Sequence, residues 1–252
     1  MNNTEIKYWQ NTYCYASLTK ILQIGKDERG FFIIPESTIF YPGGGGQPMD
    51  IGFISTESDD LRIVGTDFNN GDIKHYLMLP EDQLKKGQEI AMRILSDSRL
   101  NSASLHTAGH WIAGIVSENL LLPFKPSKAY HYPDNPYIEF SGDVSLVNEE
   151  ILDQINMAIL VDRQAQLKVT SEILTRDNIG KLDHASLPEN FKLNLEKPVR
   201  MVTIDTYKGI GCGGTHIDSI SDIQSVKATK IYSKNGKIRV GYKVTMWEKV
   251  AS

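Results

Sequence analysis

At 252 residues the chain can form one large or two ordinary domains around a substantial core. Hydrophobic residues make up 40% and charged residues 23%, a globular balance, and no apolar run reaches the about 20 residues of a membrane span. The first residues lack the basic head and apolar stretch of a secretory leader, and two cysteines, Cys14 and Cys212, are too few for a disulfide framework. A cytoplasmic protein is therefore expected. The net charge of -4 argues against a uniformly basic nucleic-acid binder. It is unevenly placed, however. Residues 1–95 carry 9 Lys and Arg against 13 Asp and Glu, whereas 191–252 carry 11 against 5. Lys227, Lys230, Lys234, Lys237, Arg239 and Lys243 follow one another with no acid between them. Such a run is either a lysine-guarded sheet edge or a phosphate-contacting surface.

Short apolar pieces at 14–22, 31–35, 53–55, 61–64 and 73–79, separated by Gly, Asp and Asn turns, predict a small β-barrel or sandwich. Within it lies Thr38-Ile-Phe-Tyr-Pro-Gly43-Gly44-Gly45-Gly46-Gln47, followed by Asp50-Ile-Gly52. Four glycines alone would make a floppy linker, but flanking Phe and Tyr want burial and Gln wants a partner. A loop held at both ends, with its backbone close to a ligand, fits better. No Lys-Ser/Thr follows, so it is not a phosphate-binding loop of the P-loop kind.

A second domain is predicted from about residue 93, giving domains 1–92 and 93–252. Residues 101–122 read as a helix capped by Asn101 or Ser102, with Leu105, Ile112, Ile115, Val116 and Leu120 inward. A second helix over 149–167 would turn Ile151, Ile155, Ile159, Leu160 and Ala165 inward. Residues 188–198 read as loop and 199–204 as a strand. Strands 226–232 and 238–244 pair across Asn235-Gly236, a strong hairpin signal. Strands mixed with two long helices make the fold class α+β.

His106 and His110, four apart on the first helix, leave the same face. Cys212-Gly-Gly-Thr-His216 sets a thiol and an imidazole four apart on a strand-to-turn segment, where glycines permit positive φ or close approach. Together these four make an N- and S-donor set suited to zinc. Thr107 stands where a zinc protease has its glutamate, which excludes that class, and no second nearby cysteine supports a zinc finger. An open coordination position would make the metal catalytic, and four protein ligands would make it a pocket shaper or amine grip. The sequence leaves both open.

These motifs, in this order and spacing, resemble the editing region of alanyl-tRNA synthetase and its free-standing relatives, the AlaX alanyl-tRNA editing family, over almost the whole chain. His75 also sits where that family often has a strand ending in His. The resemblance implies the medium-length form, an N-terminal β-barrel followed by the editing domain shared with threonyl-tRNA synthetase. It implies an ATP-independent hydrolase that removes serine, with glycine as a second candidate, from the 3′ end of tRNA(Ala), with no DNA or membrane partner. His106, His110, Cys212 and His216 would be zinc-site and catalytic residues, with Thr38, Gly44, Gly45, Gly46 and Gln47 binding the amino acid. The chain departs from the family pattern at Gly43, Gly109 and Trp111. A non-catalytic zinc module that binds tRNA or a synthetase, and a hydrolase of another ester or amide, are the competing readings. Oligomeric state is open, with a monomer the simpler expectation.

Overall fold

The computed structural model describes residues 4–56, 59–69, 71–78, 84–175 and 198–247. The chain divides into two compact units, Met1–Leu100 and Asn101–Ser252.

In the first unit the main strands are β2 (Ala16–Asp27), β3 (Gly30–Pro35), β5 (Gly52–Ser55), β6 (Asp60–Asn69), β7 (Asp72–Leu77) and β8 (Glu89–Ile94); β1 (Glu5–Ile6) and β4 (Ser37–Thr38) form a short parallel pair. The six are hydrogen-bonded as a closed ring in the order β2-β3-β7-β6-β5-β8, so every strand has two neighbours. Alternation fills its interior: Leu61 and Ile63 of β6 are buried while Arg62 and Val64 face out, and Ile21, Ile33, Ile54 and Met92 meet them from other strands. The twelve-residue β2 serves two partners, β8 with its first half and β3 with its second, across a register shift between Ile21 and Gln23. Strand β8 falls where the sequence suggested a domain boundary. Residue 79, expected to end β7, lies outside the described residues.

The glycine segment is tied down at its base. Asp50 accepts from the Tyr41 N–H at 2.6 Å and returns its own N–H to the Tyr41 carbonyl at 3.1 Å. Arg99, fully buried, grips both Asp50 carboxylate oxygens and donates to the Thr12 carbonyl at 2.8 Å. Removing one partner of such a buried pair costs about 3–5 kcal/mol. At the tip, Gly44 and Gln47 exchange two backbone hydrogen bonds, and the Tyr41 hydroxyl donates to the Gly44 carbonyl at 2.7 Å. Gly43, Gly44, Gly45 and Gly46 have φ of 86, 112, 54 and 86°, a run that only glycine takes without strain.

Helix α1 (Ser96–Gly114) starts five residues before Asn101 and passes into a π-helical turn, Ile115–Asn119. Its polar beginning gave no apolar stripe because Arg99, committed to Asp50, occupies the inward position. The second unit continues with β9 (Lys125–Tyr130), β10 (Tyr137–Ser141), α2 (Glu149–Ala165), β11 (Val169–Leu174), β12 (Val199–Ile204), β13 (Ile210–Gly211), β14 (Ile223–Lys234) and β15 (Lys237–Met246). Two sheets result, β14-β15-β10-β9 and β11-β12-β13. Of the expected loop 188–198, residues 188–197 lie outside the described residues. Among the described residues the fold is thus mostly β-sheet with two α-helices.

Asn148 caps α2 by accepting from the Ile151 N–H at 3.0 Å, and Gln166 ends it at φ 53°. Its buried stripe is Ile151, Ile155, Ala158, Ile159 and Asp162. Leu160 and Ala165, expected inward, are exposed. The stripe takes a polar residue in their place, because Trp111 Nε1 and the Tyr207 hydroxyl both donate to Asp162 Oδ2 at 2.6 Å. That also accommodates Trp111, which is fully buried. Asn156 bonds both the N–H and the C=O of Ala228 at 3.0 Å, satisfying β14 beside its bulge.

Candidate functional site

His106 and His110 leave one face of α1, and Cys212 and His216 lie on the segment that follows β13. Each offers one ligand atom, and these four atoms lie within 4.8 Å of one another, so the group could hold a metal ion. Cys212 Sγ is 3.4 Å from His106 Nε2 and 3.3 Å from His216 Nε2. His110 meets His216 with ring centroids 4.6 Å apart. His106 and His216 are buried, whereas His110 and Cys212 keep part of their surface open.

Hydrogen bonds behind the four fix their aim. His216 Nδ1 meets Thr107 Oγ1 at 3.1 Å, which orients the ring with Nε2 toward the sulfur, and that hydroxyl also accepts from the Ile217 N–H. The residue that excluded a protease by its identity is thus an orienting partner. Gly214 donates its N–H to Cys212 Sγ at 3.4 Å. Arg200, buried on β12, donates to the Gly214 carbonyl at 2.8 Å and the Cys212 carbonyl at 3.4 Å, while Cys212 N–H bonds the Arg200 carbonyl.

Burial keeps the imidazoles neutral, as ligation requires. His106 and His216 are held well below the usual range by burial and neighbouring imidazoles, and His110 falls to about 4 through burial and the Arg200 charge. Burial pushes the Cys212 thiol up to about 11 against the opposing pull of the Gly214 N–H and Arg200. A proton must therefore leave the sulfur when a metal binds.

The sequence reading missed His131. It stacks on His106 with centroids 4.3 Å apart at 28°. Its Nδ1 lies 2.7 Å from the Tyr242 hydroxyl, which donates to the Leu105 carbonyl at 2.9 Å. A carbonyl only accepts, so the Tyr242 proton goes to Leu105 and the Nδ1–H of neutral His131 fills the remaining bond. Burial lowers His131 to about 3. The available signal was Gly109: a glycine inside a helix costs about 1 kcal/mol relative to alanine and asks what occupies its missing Cβ. Here a Cβ would lie 2.3 Å from His131 Cε1.

In the first unit, Thr38 and Gln47 are fully buried. His75 Nδ1 faces the Ile73 carbonyl at 3.0 Å and so carries the proton, leaving Nε2 to accept from the Thr38 hydroxyl at 2.9 Å. Thr38 Oγ1 also accepts from the Phe40 N–H at 3.0 Å. Gly44, Gly45 and Gly46 form the tip described above. At Gly43 the backbone is turned so that a Cβ would sit 3.2 Å from Met49 N.

No helix among the described residues is long and apolar enough to cross a membrane. Residues 5–98 match the family of class II (A) tRNA synthetases, and residues 199–239 match the threonyl and alanyl tRNA synthetase second additional domain. The alanyl-tRNA editing protein AlaX-L of Pyrococcus horikoshii is 26% identical over 235 residues, 90% of this chain and 54% of its own length. An alanine–tRNA ligase of Caldivirga maquilingensis is 27% identical over 89% of this chain, which spans only 25% of the ligase. The alanyl-tRNA editing protein AlaX-M of Methanosarcina barkeri is 27% identical over 250 residues, 95% of this chain and 98% of its own. Two family matches in different parts of the chain, together with relatives aligned along nearly all of it, place this protein among the AlaX-type alanyl-tRNA editing proteins of medium length.

Proposed function

We propose that the chain is an editing hydrolase that cleaves the ester joining serine to tRNA(Ala), with zinc held by His106, His110, Cys212 and His216. The observation that carries this is the convergence of three imidazoles and one thiol within 4.8 Å. Tetrahedral zinc with one sulfur ligand sets neighbouring S and N atoms roughly 3.5 Å apart. The 3.4 and 3.3 Å separations of Cys212 Sγ from His106 and His216 suit that set. Bound there, zinc would supply a Lewis acid for an ester carbonyl or a water molecule.

The protein's own part is orientation. Thr107 fixes the His216 ring and Tyr242 fixes His131 against His106. The Gly214 N–H and the Arg200 charge ease ionisation of the Cys212 thiol. Selection of the amino acid is assigned to Thr38, Gly44, Gly45, Gly46 and Gln47. Because Thr38 has spent its proton on His75, it can only accept a hydrogen bond from a substrate hydroxyl. A site built to bond a hydroxyl rejects the substrate lacking it, so serine would be removed and alanine spared.

The test is hydrolysis of Ser-tRNA(Ala) beside Ala-tRNA(Ala), with and without a chelator. Rapid, chelator-sensitive loss of serine and slow loss of alanine are expected. Stability of both esters in a zinc-loaded sample would end the hydrolase reading.

A further inference from the structure

All six cations of the acid-free run project from one face of the sheet β14-β15-β10-β9. Lys227 pairs with Lys243 and Lys234 with Lys237, while Lys230 opposes Gly241 and Arg239 opposes Tyr232. Their partners in alternation, Ala228, Ile238, Val240 and Tyr242, are buried on the other face. Like charges directly opposite across a sheet cost stability, and two such pairs in one hairpin point to an anion from outside.

The same face carries a row of tyrosines. Tyr130 and Tyr137 are cross-strand partners with rings stacked 5.7 Å apart at 19°. Tyr132 extends the stack from Tyr130 at 4.5 Å and 15°, and is 36% exposed. Arg239 lies 4.3 Å above the Tyr137 ring, and Lys230 lies 5.1 Å from that of Tyr232. Two acids stand close by. Glu139 takes two hydrogen bonds from Arg239 at 2.8 and 2.7 Å, and Asp134 accepts from the Tyr130 hydroxyl. Flat aromatic rings set among lysines are what unpaired bases and their phosphates bind, whereas a double helix, its bases already stacked, can use only the charge.

We propose that this face is a platform for unpaired RNA, with a base stacking on the exposed ring of Tyr132 at the open end of the row that Tyr130 and Tyr137 build, and phosphates meeting the lysines. Naming that RNA as the unpaired 3′ end of an aminoacyl-tRNA rests on the hydrolase reading above; the binding itself does not. Tyr130 and Tyr132 flank His131, so the chain that carries the platform on its outer side turns an imidazole inward onto His106.

The experiment measures binding of a labelled unpaired 12-nucleotide RNA and of a blunt duplex of the same sequence, by fluorescence anisotropy over a salt series. The wild-type protein is expected to prefer the unpaired strand. Tyr130→Ala with Tyr137→Ala should weaken that strand roughly fivefold or more with an unchanged salt slope, while Tyr130→Phe, which keeps the ring, should bind as wild type. Lys227→Gln with Lys243→Gln should lower the salt slope for both RNAs. Circular dichroism and metal content verify that each variant is folded. Equal binding of strand and duplex, or full binding by the folded double tyrosine variant, would overturn the platform. Hydrolysis of a seryl ester of adenosine, followed in parallel, keeps the two readings apart. Its absence counts against the hydrolase alone, and tyrosine variants that bind RNA poorly yet cleave this small ester as wild type place their defect in RNA binding.

Discussion

Two glycine-rich segments, one in each unit, use the residue for opposite reasons. In the loop around Gly44 the backbone is the object: four consecutive positive φ angles make a tight tip, and a buried ion pair locks the base. In Cys212-Gly-Gly-Thr-His216 no glycine has positive φ. There the bare backbone gives an N–H to the sulfur and a carbonyl to Arg200, so the segment is held through its own peptide groups rather than by a carboxylate at its base. A glycine cluster in a sequence therefore does not by itself say whether shape or access is being selected.

Acid should separate the two regions most. His106, His110, His131 and His216 are held neutral in the second unit, and His75, lowered to about 4, in the first. Below about pH 6.5 the unfolded chain protonates at each of these while the folded chain does not. Folding stability is thus complete above pH 6.5 and drains away as pH falls toward 4, by roughly 1.4 kcal/mol per imidazole per pH unit. Amide exchange of the metal-free protein at pH 7 and pH 5 should show the second unit losing far more protection than the first. Equal loss would mean that the rings are not held neutral.

Next in size is Asp50→Ala, which leaves Arg99 buried without its carboxylate. A destabilisation of about 3–5 kcal/mol is expected in chemical denaturation. Metal content should be unchanged, since none of the four candidate ligands is touched. Smaller again is Gly109→Ala. Helix propensity alone would make it stabilising, yet its Cβ would collide with His131, and a net cost of about 1–3 kcal/mol is expected. Combined with His131→Ala most of the cost should vanish, leaving only the contact with Ile138 Cδ1 at 2.9 Å, and a double-mutant cycle reads that coupling directly. Additive effects would show that the helix, and not the ring, sets the requirement for glycine.

Much of the candidate metal centre was legible because its four ligand atoms come from two short motifs whose spacing matches a helix face and a turn. The inward face of α1 beyond Leu105 and the Asn235-Gly236 hairpin were legible for the same reason, as local periodicity and turn chemistry. What escaped was set by distant partners. Arg99 looks like a surface residue until Asp50 is known to face it, and Asp162 looks misplaced on a buried stripe until Trp111 and Tyr207 reach it. Strands β9, β10 and β11 are short and carry Lys, Ser and Glu, so their pairing, not their composition, defines them. His131 belongs to no motif; its meaning comes from a vacancy on another element.

The strict alternation of Tyr130, His131 and Tyr132 has a consequence for how this segment can change over time. A strand has period two, so losing or gaining one residue ahead of His131 exchanges the two sides at a stroke. The imidazole would go to solvent and a phenol would be driven against His106. Substitutions here can be absorbed one at a time, but length cannot, and the segment between Lys125 and Tyr137 should tolerate insertions and deletions only in its loop beyond Tyr132.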